Sequence, residues 1–166
     1  MSLSMYAITV PVFTRYLHNL DAILAKAEAF AADRKIKPEV LVASRLAPDM
    51  NPLAFQVQSS TDRIKFALSR LTGRTPPSWE DNETTLADLR NRVKKGLDFV
   101  ATFSEADLAG SESKVLTLKV RGEDKQVPAV EHITLNAVPQ IFFHISAAYL
   151  ILRHNGVEVG KRDFTG

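Results

Sequence analysis

From Met5 to about Asp33 apolar side chains recur every three or four residues, at Phe13, Tyr16, Leu17, Leu20, Ile23, Leu24, Ala27, Phe30 and Ala31. This spacing lines one face of a helix and predicts a long first helix with a buried stripe. Pro11 is expected near its start, because an interior proline removes a backbone hydrogen bond and crowds the turn before it. Pro38, behind Lys37 and ahead of Glu39, predicts a short helix running to about Leu46. Residues 47–52 break the pattern. Asn51 as cap and Pro52 at the first helical position then open a second bundle helix through Leu53, Val57, Ile64, Leu68 and Leu71, which Gly73 ends.

Two adjacent prolines, Pro76 and Pro77, forbid a helix across residues 74–83. Thr84 or Thr85 can cap a third helix, whose stripe is Leu86, Leu89, Val93, Leu97 and Val100, and Ser104 with the acids after it marks a further short turn. Between Lys114 and Val127 the period drops to two, which predicts a hairpin turning through residues 121–124. Two strands alone are marginal in water, so the hairpin is expected to lie on the bundle or on a partner. From Ala129 to about His154 the chain is apolar on more than one face, which suggests a fourth helix that is central or also covered by a second subunit. Asn155 and Gly156 supply its left-handed stop, and residues 160–164 are expected as a short tail. The expected fold is therefore all-α, an up-and-down four-helix bundle with a small β-hairpin before its last long helix, in a single domain over residues 1–166.

Charge adds little direction. Lys and Arg number 21 against 19 Asp and Glu, and a net charge of +2 is too small and too evenly spread for a nucleic-acid footprint. The absence of cysteine removes disulfides, thiolate zinc sites and cysteine nucleophiles, and points to the cytoplasm. No basic stretch with an apolar signal core and no run of about 18 apolar residues is read, so neither export nor a membrane span is expected. Gly-rich phosphate loops, the nucleophile elbow and the dinucleotide fingerprint are also missing from the sequence.

Chemistry has few carriers. The four histidines are His18, His132, His144 and His154, and no two stand three or four residues apart on one helix, so a His-x-x-x-His metal pair is not written here. His18 lies beside the first stripe, and His154 sits at a helix C-terminus that favours an imidazolium. His144 differs, because it lies among Phe142, Phe143 and Ile145 and a buried imidazole needs hydrogen-bonding partners or a metal. Gln140 stands one turn earlier, and the second helix offers Gln56 and Gln58. Asp49, Glu80, Asp81 and Glu83, with Arg45 and Arg74 near them in sequence, form either a polar pocket mouth or a set of caps and loop ion pairs. Trp79 reads as a loop anchor.

The segment Phe143-His144-Ile145-Ser146-Ala147-Ala148-Tyr149, continuing through Leu152, Arg153, Asn155 and Gly156 to Gly160-Lys161-Arg162-Asp163, resembles the closing helix of the DinB/YfiT-like metalloenzyme superfamily. With Val10-Pro11-Val12-Phe13, Leu46-Ala47-Pro48-Asp49-Met50, Gln56-Val57 and Glu80-Asp81-Asn82-Glu83, the chain resembles its domain-of-unknown-function branch nearly end to end. The resemblance implies a four-helix bundle and frequent homodimers. In metal-binding relatives it implies three histidines, one on the second helix and a His-x-x-x-His pair on the fourth. His144 falls on the second of that pair, Gln140 on the first, and Gln56 on the second-helix position. One ligand of three is kept, and neutral amides are poor ligands for zinc or nickel. Three readings follow. The chain is a DinB-like bundle with a degenerate metal pocket around His144, Gln140, Gln56, Asp49, Arg45 and Tyr149 that takes a small molecule. Alternatively it is a metal-dependent transferase or hydrolase in which His144, with Asp49 or Asp62, holds a divalent zinc or nickel ion. The third reading is a dimeric interaction or stress-related module.

Overall fold

The computed structural model describes residues 3–120 and 122–166. Ser4 opens the first helix, α1 (Met5–Asp33), by accepting a hydrogen bond from the Ala7 N–H at 3.2 Å. Pro11 lies inside this helix rather than at its start, and the helix continues through it. Lys35 ends α1 in the left-handed conformation, φ 53°, while the N–H groups of Lys35 and Ile36 return to the carbonyls of Ala32 and Ala31. The short α2 (Pro38–Ala43) stops three residues before the expected end. The second bundle helix, α3 (Leu53–Thr72), takes Pro52 as its cap, and Gly73 closes it at φ 77°. Thr85 and Asp88 form a reciprocal capping box on α4 (Leu86–Val100). Ser104 and Asp107 repeat that device on the single turn α5 (Glu105–Leu108).

The hairpin pairs β1 (Val115–Val120) antiparallel with β2 (Glu123–Pro128) in the register Val115↔Pro128 to Val120↔Glu123. Its connection is therefore shorter than expected, with Glu123 and Asp124 inside the second strand and Arg121 outside the described residues. Buried Leu116 and half-buried Leu118 tie β1 to the bundle core.

The last long helix, α6 (Ala129–His154), is not regular, since residues His132–Ala137 form a π-helical stretch. Two features of the sequence explain it. Buried Ala129, Ile133, Ala137, Ile141 and Ile145 are spaced four apart, and four residues overshoot a 3.6-residue turn by roughly 40° per step. A wider turn keeps them in line. Pro139 has no N–H for the residue 135 carbonyl and crowds it, and the wide turns end at that point. By length and apolar content α6 would qualify as a membrane span, contrary to the sequence expectation. Its inward face, including Ile141, Ile145, Ala148 and Leu152, is nevertheless consumed by the bundle core. The N–H groups of Gly156 and Val157 then cap it on the carbonyls of Arg153 and Leu152. The tail forms a short helix, α7 (Lys161–Thr165), folded back on α1 through Lys26–Asp163 at 2.7 Å and Asn19–Phe164 at 2.9 Å.

Four long helices surround one core, as the patterning implies, but their directions do not strictly alternate. Gln56 meets His144 and Arg70 meets His132, so α3 and α6 are antiparallel. Tyr16 packs on Phe142 and Phe30 on Gly156, so α1 and α6 are parallel. Thr61 meets Arg92 midway along α4 and Arg74 meets Thr102 beyond its end, so α3 and α4 also run the same way. The order is up, down, down, up. Residues 74–85 must climb back along α3, which is about 30 Å long, and the extended Pro76-Pro77 segment has that reach. Trp79 fastens this return segment, edge-on to Phe99 and beneath the cations of Lys65 and Arg92.

Candidate functional site

Helix α3 presents two chemically different flanks, one toward α4 and the return segment and one toward α6. On the first, Arg92 is fully buried, on the stripe position three residues after Leu89. Its guanidinium donates to Asp62 at 2.9 Å, Asp81 and Glu83 at 3.0 Å each, the Glu80 carbonyl at 3.1 Å and Thr61 Oγ1 at 3.1 Å. Burial opposes the charge, yet Asp62, Glu83 and Asp81 together hold the Arg92 pKa above its ordinary value. Asp62 also receives Lys65 at 2.7 Å, and Gln58 donates to Glu83 at 2.8 Å. The loop acids thus fasten the return segment onto α3 and α4. Arg74 does the same lower down through Asp107 and the Thr102 carbonyl.

On the second flank, His144 is 7% exposed and Gln56 is 2% exposed. Gln56 Nε2 donates to the Asn51 carbonyl at 2.9 Å, which leaves Gln56 Oε1 facing His144 Nδ1 at 2.9 Å. A carbonyl partner fixes the amide orientation, and an amide oxygen can only accept. His144 therefore carries its proton on Nδ1, and its Nε2 is a lone pair. That Nε2 has no protein partner among the described residues and is not sealed from solvent. Burial, with the nearby charge of Arg63, pushes the His144 pKa down to about 4, so the ring is neutral at pH 7.

The rings of Phe55 and Phe143 stand edge-on to His144 with centroids at 6.0 and 5.4 Å. Phe55 also lines a cleft of about 260 Å³ on the outer side of α3, together with Gln58, Asp62, Arg63, Phe66 and Asp81. It is the shared wall between the cleft and the imidazole.

The other expected pocket residues go elsewhere. Gln140 donates to Asn136 Oδ1 at 2.8 Å on its own helix. Tyr149 packs on Phe164 of the tail, with ring centroids 5.9 Å apart, beside Tyr16 and not beside His144. Arg45 is exposed and donates to the Met50 carbonyl within its own loop, and Asp49 is an exposed residue of that loop. Two residues were missed. Arg92 was legible as a charge on an apolar stripe, and His132, 2% exposed, stands in the wide turn that hides its facing.

An irregular helical bundle with a hairpin before its last long helix is the architecture of the DinB-like class. The chain is similar to a solved DinB family member protein from Shewanella denitrificans, with 45% identity over 98% of this chain and 92% of that chain and a TM-score of 0.92. It belongs to the family described as Domain of unknown function (DUF1993), whose profile matches residues 5–165. No match is found among curated proteins.

The metal that the wider superfamily implies does not fit the residues present. His144 offers one lone pair, Gln56 Oε1 is occupied by the Nδ1 proton, and the Asp62 carboxylate is held by Arg92 and Lys65. No group of three His, Asp or Glu side chains suited to a metal occurs among the described residues. A borderline cation needs more than a single imidazole.

Proposed function

We propose that this protein is a small-molecule-binding DinB-like bundle that uses the His144–Gln56 flank of α3 and the adjoining Phe55–Arg63–Phe66 cleft without a resident metal. The observation that carries this reading is the bond from His144 Nδ1 to Gln56 Oε1, which leaves a neutral Nε2 acceptor open beside an apolar wall. Pockets of this kind combine aromatic walls with a few fixed polar groups. A ligand that reaches across the Phe55 wall stacks on Phe55 and Phe66 and donates a hydroxyl, amine or amide proton to Nε2. Metal content of protein purified without an affinity tag, read beside a ligand-observed NMR fragment screen, tests this. Expected are zinc and nickel well below stoichiometry and fragment signals that vanish in both His144→Ala and Phe55→Ala. Near-stoichiometric metal lost in His144→Ala would overturn the reading in favour of a metal-dependent transferase or hydrolase.

A second reading, compatible with the first, is a cytoplasmic homodimer. It is supported by Leu135, Phe143 and Leu150, which leave α6 with an apolar outer face at 75%, 59% and 44% exposure. Light scattering that returns a monomer would remove it.

A further inference from the structure

Cations of this molecule that sit among carboxylates are neutralised: Arg92 by Asp62, Asp81 and Glu83, Arg90 by Asp21 and Glu28, Arg74 by Asp107, and Lys26 by Asp163. Arg63 and Arg70 are the contrast. They stand two turns apart on α3, and neither makes an ion pair with a carboxylate among the described residues. The acids nearest in sequence are committed or exposed, since Asp62 faces Arg92 and Lys65, and Glu131 is exposed.

The wide turns of α6 set His132 against Arg70. Arg70 Nη1 lies 3.5 Å from His132 Nε2. A guanidinium can only donate, so Nε2 accepts and Nδ1 carries the proton. That Nδ1 and Arg63 Nε are both sealed from solvent without a hydrogen-bond partner. Two buried N–H groups lacking an acceptor are an unusual expense in a native fold. The charge of Arg70 acts on both of them, and π-helical turns are frequent at functional positions. Burial together with the Arg70 charge pushes the pKa of both Arg63 and His132 down, as expected where positive charges face one another without an anion.

We propose that the seam between α3 and the wide turns of α6 is an oxyanion site, in which Arg63, Arg70 and the Nδ1–H of His132 receive a carboxylate or phosphate group of a small molecule. What is missing there is an acceptor with negative charge, and guanidinium groups match the planar or tetrahedral oxygens of such groups. The anion enters beside Arg70, which is exposed and stacks on Phe66 with its Cζ 5.6 Å from the ring centroid. This inference goes beyond the cleft reading, with which it shares Arg63 and the Phe66 ring, and the two fail separately.

The test is thermal unfolding of the full chain in a weakly coordinating buffer, titrated with inorganic phosphate and in parallel with benzoate, each against sodium chloride at equal ionic strength. At tenfold excess over Kd one of the two oxyanions is expected to raise Tm by about 3–6 °C above the chloride control. Arg70→Gln and Arg63→Gln are each expected to weaken that response at least tenfold, and His144→Ala to preserve it. The anion that acts identifies the group as phosphate or carboxylate. An equal response to chloride, a response unchanged in both arginine variants, no response to either oxyanion, or loss of the response in His144→Ala would each overturn the proposal.

Discussion

The two flanks of α3 carry the same kind of side chain and treat it in opposite ways. Toward α4, Arg92 at 0% exposure is satisfied by two well-buried or half-buried acids, Glu83 and Asp62, by Asp81, and by two neutral oxygens. Toward α6, Arg63 and Arg70 have no carboxylate, and two N–H groups between the helices lack acceptors. A buried cation with a complete set of partners is architecture, and here it anchors the segment that lets α3 and α4 run parallel. A cation left without a carboxylate has interaction energy still available for an anionic ligand.

Breaking the first flank should have the largest effect. Arg92→Met leaves Glu83 buried without its counter-charge, and an expected loss of about 3–5 kcal/mol in denaturant unfolding accompanies proteolytic exposure of residues 74–85. A loss under about 1 kcal/mol would mean that the return segment is held by Trp79 alone.

Acid acts next, and on the second flank. Above pH 6.5 His144 is neutral in both folded and unfolded chains and contributes no pH dependence. As pH falls through 6.5 the unfolded ring takes up a proton that the folded ring, with its pKa at about 4, refuses. Stability therefore declines from pH 6.5 to about 4, by at most about 3–4 kcal/mol from this residue, and His132 adds to it in the same direction. Unfolding free energies measured across that window should show a shallower slope in His144→Gln. An unaltered slope would assign the acid sensitivity to other groups.

Gln56→Leu should cost about 1–3 kcal/mol by orphaning the Nδ1–H of His144, with the damage confined to the α3–α6 seam in amide exchange. Arg70→Gln gives the smallest change, within about 0.5 kcal/mol, because Arg70 is exposed, makes no ion pair, and its long contact with His132 can be replaced by the glutamine amide. A large loss there would erase the contrast between the flanks.

Much of this architecture was legible in the sequence. The stripes of α1, α3 and α4, the Thr85 cap, Gly73 and the period-two hairpin all act within a few residues of themselves, so local pattern reports them. Chain direction was not legible, because a proline-rich connector can turn back or climb equally well, and only the long-range grip of Arg92 on residues 80–83 decides between them. Within the site, the pairing of Gln56 with His144 was expected from the family resemblance. Tyr149 was misplaced because residues 160–164, which form a helix and supply Phe164 as its neighbour, were read only as a short tail. His132 escaped because helical periodicity presumes a regular turn, and α6 widens its turns at that residue.

The account depends most on the state of one ring, so the most direct test is a long-range ¹H–¹⁵N NMR titration of the His144 imidazole in the wild-type protein. The prediction is a neutral ring protonated on Nδ1 at pH 7 that titrates near pH 4 and is unmoved by one equivalent of zinc. A ring protonated on Nε2, a midpoint near 6.5, or a zinc-induced shift at Nε2 would contradict it.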